Sequence, residues 1–145
     1  MYTLTYESIA TKKMSGGEMD LLLERARSNN ARNGITGCLI YYMGGFVQVL
    51  EGEREKIEEL YEKIKRDKRH RSVHKFSDDH IPEQSFPKWS MAYYPIDENN
   101  TDRYEFEQFK RNLLLLADFV EPANVTAKLF WKRIKFLISV PPTII

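Results

Sequence analysis

The stretch from Asn33 to Gly52 constrains this chain more than any other. Asn33-Gly34-Ile35-Thr36-Gly37 reads as a helix stop leading into a strand. Gly37 to Met43 is that strand, Gly44-Gly45 a two-residue turn, and Phe46 to Glu51 the returning strand. Side chains alternate along a strand, so Phe46, Gln48 and Leu50 share a face. Phe and Leu mark that face as buried. Gln48 brings an amide into its middle, which costs roughly 1–3 kcal/mol if left unpaired. Something polar has to meet it, from the protein or from a ligand.

The rest of the chain supplies a setting for that hairpin. Tyr2 to Ser8 alternates as a first strand, with Tyr2, Leu4 and Tyr6 on one face. Ser15 is the expected cap of a helix whose Met19, Leu22, Leu23 and Ala26 recur at the spacing of one face. That helix is expected to end near Asn29-Asn30. Glu53 to Asp67 reads as a second helix, with Ile57, Leu60, Tyr61 and Ile64 as its buried stripe. Its acidic start and basic end suit the helix dipole. Val73 to Phe76 is a weak fourth strand and Trp89 to Tyr93 a fifth, carrying Trp89, Met91 and Tyr93 on one face. The order is β-α-β-β-α-β with one added strand. Right-handed crossovers then put both helices on one side of a single sheet. After a polar linker, Glu105 to Phe119 reads as a third helix (Phe106, Phe109, Leu113 and Leu116 on one side), and Asn124 to Ile138 as a fourth. These two are expected to cover the other face of the sheet.

Composition excludes several functions. At +1 the net charge makes no field for nucleic acid or an anionic membrane. No apolar run approaches the roughly 20 residues of a membrane span. The N-terminus lacks the form of a signal peptide, and Cys38 is the sole cysteine, so a reducing cytoplasm is the expected home. None of the common nucleotide, hydrolase or zinc-protease motifs is present. His70 and His74 stand four apart on a loop-to-strand segment, and Asp78-Asp79-His80 is expected in a solvated loop, so neither argues for a metal. Glu51 and Asp67 are not placed together by any pattern.

What remains is a pocket between the two helices and the sheet. Tyr6 brings a phenol and Gln48 an amide that donates and accepts, while Asn29-Asn30 adds two more amides. A planar heterocycle with carbonyls and ring nitrogens along one edge satisfies that set. Arg69 and His70 lie where a phosphate or ribityl tail would run. Each residue also has a plainer reading: a helix C-terminus, a strand tyrosine with a wet hydroxyl, a solvated charge. Residue types and spacing leave both open.

At Tyr6-Glu7-Ser8, Asn29-Asn30, Asn33-Gly34-Ile35-Thr36-Gly37, Phe46-Val47-Gln48-Val49-Leu50-Glu51-Gly52 and Asp67-Lys68-Arg69-His70, the sequence resembles the BLUF family, blue-light sensors that use FAD. Phe86-Pro87-x-Trp89-Ser90-Met91 is similar to the family's later Trp-x-Met segment. The resemblance implies an α+β, ferredoxin-like sheet of five strands with the flavin between the first two helices. It divides the chain into a flavin-binding domain, 1–96, and a C-terminal helical extension, 97–145. It implies a cofactor-binding set of Tyr6, Ser8, Asn29, Asn30, Gln48, Asp67, Arg69 and His70. The implied photochemical set is Tyr6, Gln48, Trp89 and Met91, with Tyr6 as electron donor and Gln48 as the amide that switches. The fifth strand is the expected relay, since Trp89 and Met91 can exchange by a two-residue slide without turning the face over. A short stand-alone member of this kind is expected to be no enzyme. It is expected to signal through self-association or a separate downstream protein, with no role for nucleic acid or membrane. Two rivals stand beside it. An acylphosphatase-like enzyme needs a Gly-rich phosphate loop after the first strand, which Ile9 to Lys13 does not supply. A cofactor-free adaptor is eliminated by a yellow preparation with a flavin spectrum.

Overall fold

In the computed structural model, residues 1–12, 14–86, 107–108, 110–112, 114–115 and 124–139 are described in full and residues 89–93 by their backbone. Five strands form one sheet in the order β4-β1-β3-β2-β5. They are β1 (Tyr2–Ala10), β2 (Thr36–Tyr42), β3 (Gly45–Gly52), β4 (His70–His80) and β5 (Trp89–Tyr93). All neighbours are antiparallel except β5, which runs parallel to β2. With helices α1 (Gly16–Arg32) and α2 (Arg54–Arg66), this is the α+β, ferredoxin-like arrangement the pattern predicts.

Local chemistry sets most boundaries. Ser15 sits in extended backbone and its Oγ accepts from the Glu18 amide at 3.2 Å, capping α1. The helix continues past Asn29-Asn30 to Arg32, so both asparagines fall in its last two turns. It stops where Asn33 N–H returns to the carbonyls of Asn29 and Asn30 and Gly34 turns left-handed at φ +65°. The hairpin differs from the expected Gly44-Gly45 turn by one residue. Tyr42 pairs with Gly45, and the turn is Met43-Gly44, at φ 49° and 78°. An exposed methionine tolerates a conformation that sequence rules reserve for Gly, Asn or Asp.

β4 is much longer than the expected Val73–Phe76. As an edge strand paired only with β1, it has no buried apolar face to betray its length. It takes in His70, His74 and the Asp78-Asp79-His80 run that was expected as loop. Asp79 there accepts from Thr126 N–H and Oγ1–H, at 2.9 and 2.5 Å, anchoring the start of the last helix.

The sheet separates two cores. Tyr2, Leu4, Tyr6, Leu39, Phe46 and Leu50 face α1 and α2, packing on Met19, Leu23 and Ile57. Cys38, Ile40, Val47 and Val49 face the other way, against Phe130, Trp131, Ile134 and Ile138 of α3 (Val125–Ser139). Thr3 and Thr5 are fully buried on that second face, their hydroxyls donated to the Leu50 and Gln48 carbonyls at 2.9 and 2.8 Å. The expected helix over 105–119 is helical at 107–108, 110–112 and 114–115, while its apolar stripe of Phe106, Phe109, Leu113 and Leu116 lies outside the described residues.

Candidate functional site

Strand pairing makes the central contact. Tyr6 and Gln48 are direct partners across β1 and β3, side chains toward the helices. The Tyr6 hydroxyl donates to Gln48 Oε1 at 2.5 Å, with both side chains buried. Burial pushes the Tyr6 phenol well above its ordinary pKa, and the nearby Tyr61 and Asp67 push the same way. Tyr6 is therefore a neutral donor, and it fixes the amide: Oε1 toward Tyr6, NH2 turned away. That NH2 meets no hydrogen-bond acceptor among the described residues and faces a cleft of about 300 Å³, at the low end of small-molecule sites.

Each element contributes a wall. Tyr6, Leu39, Phe46 and Gln48 form the floor; Leu22, Arg25, Ala26, Asn29 and Asn30 come from α1; Leu60, Lys63 and Ile64 come from α2; Asp67, Arg69 and His70 close one end. Asn30 is 3% exposed, and its amide has no partner among the described residues. Asn29 lies at the rim, its Oδ1 accepting from Arg32 at 3.1 Å. Arg69 holds Asp67 in a forked pair, Nε to Oδ1 at 2.9 Å and Nη2 to Oδ2 at 2.5 Å. The guanidinium keeps the Asp67 carboxyl below the usual carboxylate range.

His70 is positioned from two sides. Its Nε2 meets the Ile64 carbonyl, which only accepts, so in the neutral ring that nitrogen carries the proton. Nδ1 then accepts from Ser8 Oγ at 2.8 Å. Ser8 stands behind the histidine and does not line the cleft. His70 in turn is edge-on to the rings of Tyr6 and Phe46.

Trp89 and Met91 are placed by backbone register alone. Trp89 pairs with Gly37 and Met91 with Leu39, which itself pairs with Gln48. Tyr6, Gln48, Leu39 and Met91 thus form one row across β1, β3, β2 and β5; which of Trp89 and Met91 approaches the cleft lies outside the described residues. Cys38 belongs to the opposite core, away from the cleft. Glu51 and Asp67 are far apart in role, one enclosed beneath the sheet and one at the cleft end. Two cations of the cleft, Arg25 and Lys63, were not anticipated. Arg25 precedes Asn29 by four residues and follows Leu22 by three, so helical spacing alone carried the signal.

A family model described as BLUF, sensors of blue-light using FAD, matches residues 1–92. The chain belongs to the BLUF family. Over 91 residues it is 40% identical to the photoactivated adenylate cyclase subunit beta of Euglena longa, a match covering 62% of this chain and 11% of that protein. Among solved structures it is similar to the photo-activated state of BlsA (31% identity, TM-score 0.61, 99% of each chain covered). It is also similar to Klebsiella pneumoniae BlrP1 with FMN and cyclic diGMP (27% identity, TM-score 0.66, 95% of this chain and 35% of that one).

A BLUF domain is a blue-light sensor that binds flavin and is not itself a catalyst. The cleft fits such a ligand on its own terms. The Asn30 amide and the Gln48 NH2 line the cleft without a partner among the described residues, and a flavin edge offers carbonyls and ring nitrogens to such groups. Leu22, Ala26, Leu60 and Ile64 supply apolar walls for a flat ring. Among the described residues no helix is long and apolar enough to cross a membrane.

Proposed function

We propose that this BLUF domain holds FAD without a covalent bond and converts blue light into a rearranged Tyr6–Gln48 hydrogen bond. In this reading Asn30 and Gln48 hold the polar edge of the ring system. Arg25, Lys63, Arg69 and His70 serve the phosphate-bearing tail, with Asn29 at the rim. Asp67 tempers the charge of Arg69, and Ser8 acts indirectly by orienting His70. A bound flavin supplies absorption of blue light and, when excited, a strong oxidant.

The observation that carries the reading is the 2.5 Å bond from Tyr6 to Gln48 Oε1, with the other end of the same amide turned to the cleft. Tyr6 is held neutral by burial, so losing an electron obliges it to release its proton. Gln48 Oε1 is the acceptor already in place. When Tyr6 recovers electron and proton, net chemistry is zero, but Gln48 can be left rotated or tautomerised with its donor and acceptor ends redistributed. The product of light is a hydrogen-bond arrangement that biases a two-state element. The row linking Gln48 through Leu39 to Met91 supports β5 as that element, with Trp89 and Met91 as its moving side chains.

Residues 1–96 form the sensor in this reading and 97–145 the output extension. The cyclase and BlrP1 relatives are far longer than this chain, and it spans about a tenth and a third of them. We assign the output to self-association of this chain or to a separate cytoplasmic signalling protein.

The test is an absorption spectrum of the purified protein in darkness and after blue light. Wild type is expected to show a small red shift that decays in the dark. Tyr6→Phe and Gln48→Leu are expected to keep flavin bound and lose the shift. A full shift in Tyr6→Phe refutes the mechanism. Denaturing the protein and separating the released flavin by chromatography decides between FAD and FMN.

A further inference from the structure

Glu51 is the one charged side chain among the described residues with no solvent exposure. It follows Val47 and Val49 on the α3 face of β3, where an apolar residue would be the ordinary choice. An enclosed carboxylate is costly unless donors surround it. Three do. Oε1 accepts from Thr36 Oγ1 at 2.9 Å and from Phe86 N at 2.7 Å, and Oε2 accepts from Ser85 N at 2.8 Å. Gln84 adds a second layer: its Nε2 lies 3.1 Å from the Glu51 carbonyl, 2.9 Å from Gly34 O and 2.9 Å from Thr36 Oγ1.

These contacts join three places: the end of β3, the start of β2 and the segment leading into β5. The start of β2 lies in close backbone contact with β3. Gly37 has φ +152°, and a Cβ there would come within 2.0 Å of Val49 O. Gly37 is also the register partner of Trp89, the first residue of β5. β5 is a five-residue edge strand with β2 as its one strand neighbour, so its hydrogen-bond register is set along a single edge.

We infer that Glu51 is a positioning residue, whose carboxylate sets the register of β5 on β2 by holding the Ser85 and Phe86 amides against Thr36. The clamp thereby decides which β5 residue stands in the row with Gln48 and Leu39. It lies on the sheet face opposite the Tyr6–Gln48 bond, so it acts on the output strand without touching the photochemical pair. The consequence for light signalling rests on the proposed function above; the register role in darkness does not.

The experiment uses the full, flavin-loaded chain with Glu51→Gln. Glutamine keeps the size and one oxygen but sets an N–H against a backbone N–H. Amide hydrogen exchange over residues 85–93 in darkness should accelerate about tenfold or more, the effect of losing a hydrogen bond to a charged group. The light-induced red shift should keep its amplitude, while its decay in darkness changes about threefold or more. Ile134→Val, on the same face, serves as the control for general destabilisation and should leave both readouts within about twofold. Wild-type exchange over 85–93 in Glu51→Gln overturns the proposal, as does equal acceleration in Ile134→Val. If Glu51→Gln fails to fold, Gln84→Ala opens the same clamp from its half-exposed end. It must accelerate exchange over 85–93, and no acceleration overturns the proposal. A wild-type protein without any red shift would remove the light-sensing reading and leave the dark exchange result standing.

Discussion

The two faces of the sheet are built from alternate residues of the same strands, yet they do opposite things. On β3, Val47 and Val49 seal against Phe130 and Ile134, while Phe46 and Gln48 look into a cleft and Leu50 packs beneath α1 and α2. On the α3 face Thr3 and Thr5 donate to β3 carbonyls and Glu51 accepts from two backbone amides and a hydroxyl, while the buried Trp131 Nε1 meets no partner among the described residues. The α1–α2 face leaves the Asn30 amide and one end of the Gln48 amide without partners among the described residues. Both of these amides line the cleft. The α3 face is packed shut against the last helix, and the α1–α2 face packs a second core and opens into the cleft.

The largest test of this division is Phe130→Ala. Phe130 has no exposure and lies at the centre of the sealed face. Its truncation should cost about 3–5 kcal/mol in urea or thermal unfolding. The light-induced shift in the protein that remains folded should be unaltered. A changed shift would mean that the two faces are not independent.

Asn30→Ala reverses the pattern. It removes a buried amide that the protein itself does not satisfy, so apo-protein stability should hold or rise slightly. Flavin affinity should fall by about tenfold or more, the scale of one lost hydrogen bond in a closed site. Titration of apo-protein with FAD, followed by flavin fluorescence, measures this. A loss of apo stability with no loss of affinity would make Asn30 a structural residue and the cleft smaller than described.

How far the sequence foretold this follows from the same contrast. Tyr6 and Gln48 could be placed on inward faces because period-two alternation survives in strands that bury one face. Their direct opposition required the β1–β3 pairing, which the β-α-β-β-α-β order supplies. β4 was read too short because an edge strand carries no apolar alternation, and the turn was misplaced by one residue because Met43 adopts positive φ. Glu51 was missed as a fixed point although its signal was in plain view. Glu51, after Val47 and Val49, is a polar residue on a buried face just as Gln48 is between Phe46 and Leu50. Two of its three carboxylate donors come from Ser85 and Phe86, in a loop whose course no periodicity predicts.

Each face also carries one forked arginine pair, and these give the smallest effects. Arg133 donates to Glu7 at 2.8 and 3.2 Å, tying α3 to β1 behind Tyr6, and Arg69 grips Asp67 at the cleft end. All four side chains are about a third to half exposed, so solvent screens both pairs and each is worth about 0.2–1 kcal/mol. Arg133→Gln should lower stability by that amount without affecting flavin retention. Arg69→Gln should lower both.

The Asp67 pair adds a pH signature. Arg69 holds the folded carboxyl below its unfolded value of about 3.9, so the folded state binds the proton less readily than the unfolded chain. The contribution is therefore fully present above that unfolded value and is lost as pH falls through the lower folded one. Wild type and Asp67→Asn, compared by urea unfolding, should differ by about 0.2–1 kcal/mol at pH 7, and the gap should shrink progressively as pH falls below about 3.9. A gap that persists at acid pH would make Asp67 a hydrogen-bond acceptor held by Arg69 geometry, with its charge immaterial. The cleft would then lose the tempering role assigned to Asp67, leaving Arg69 to meet an anionic tail with its full charge.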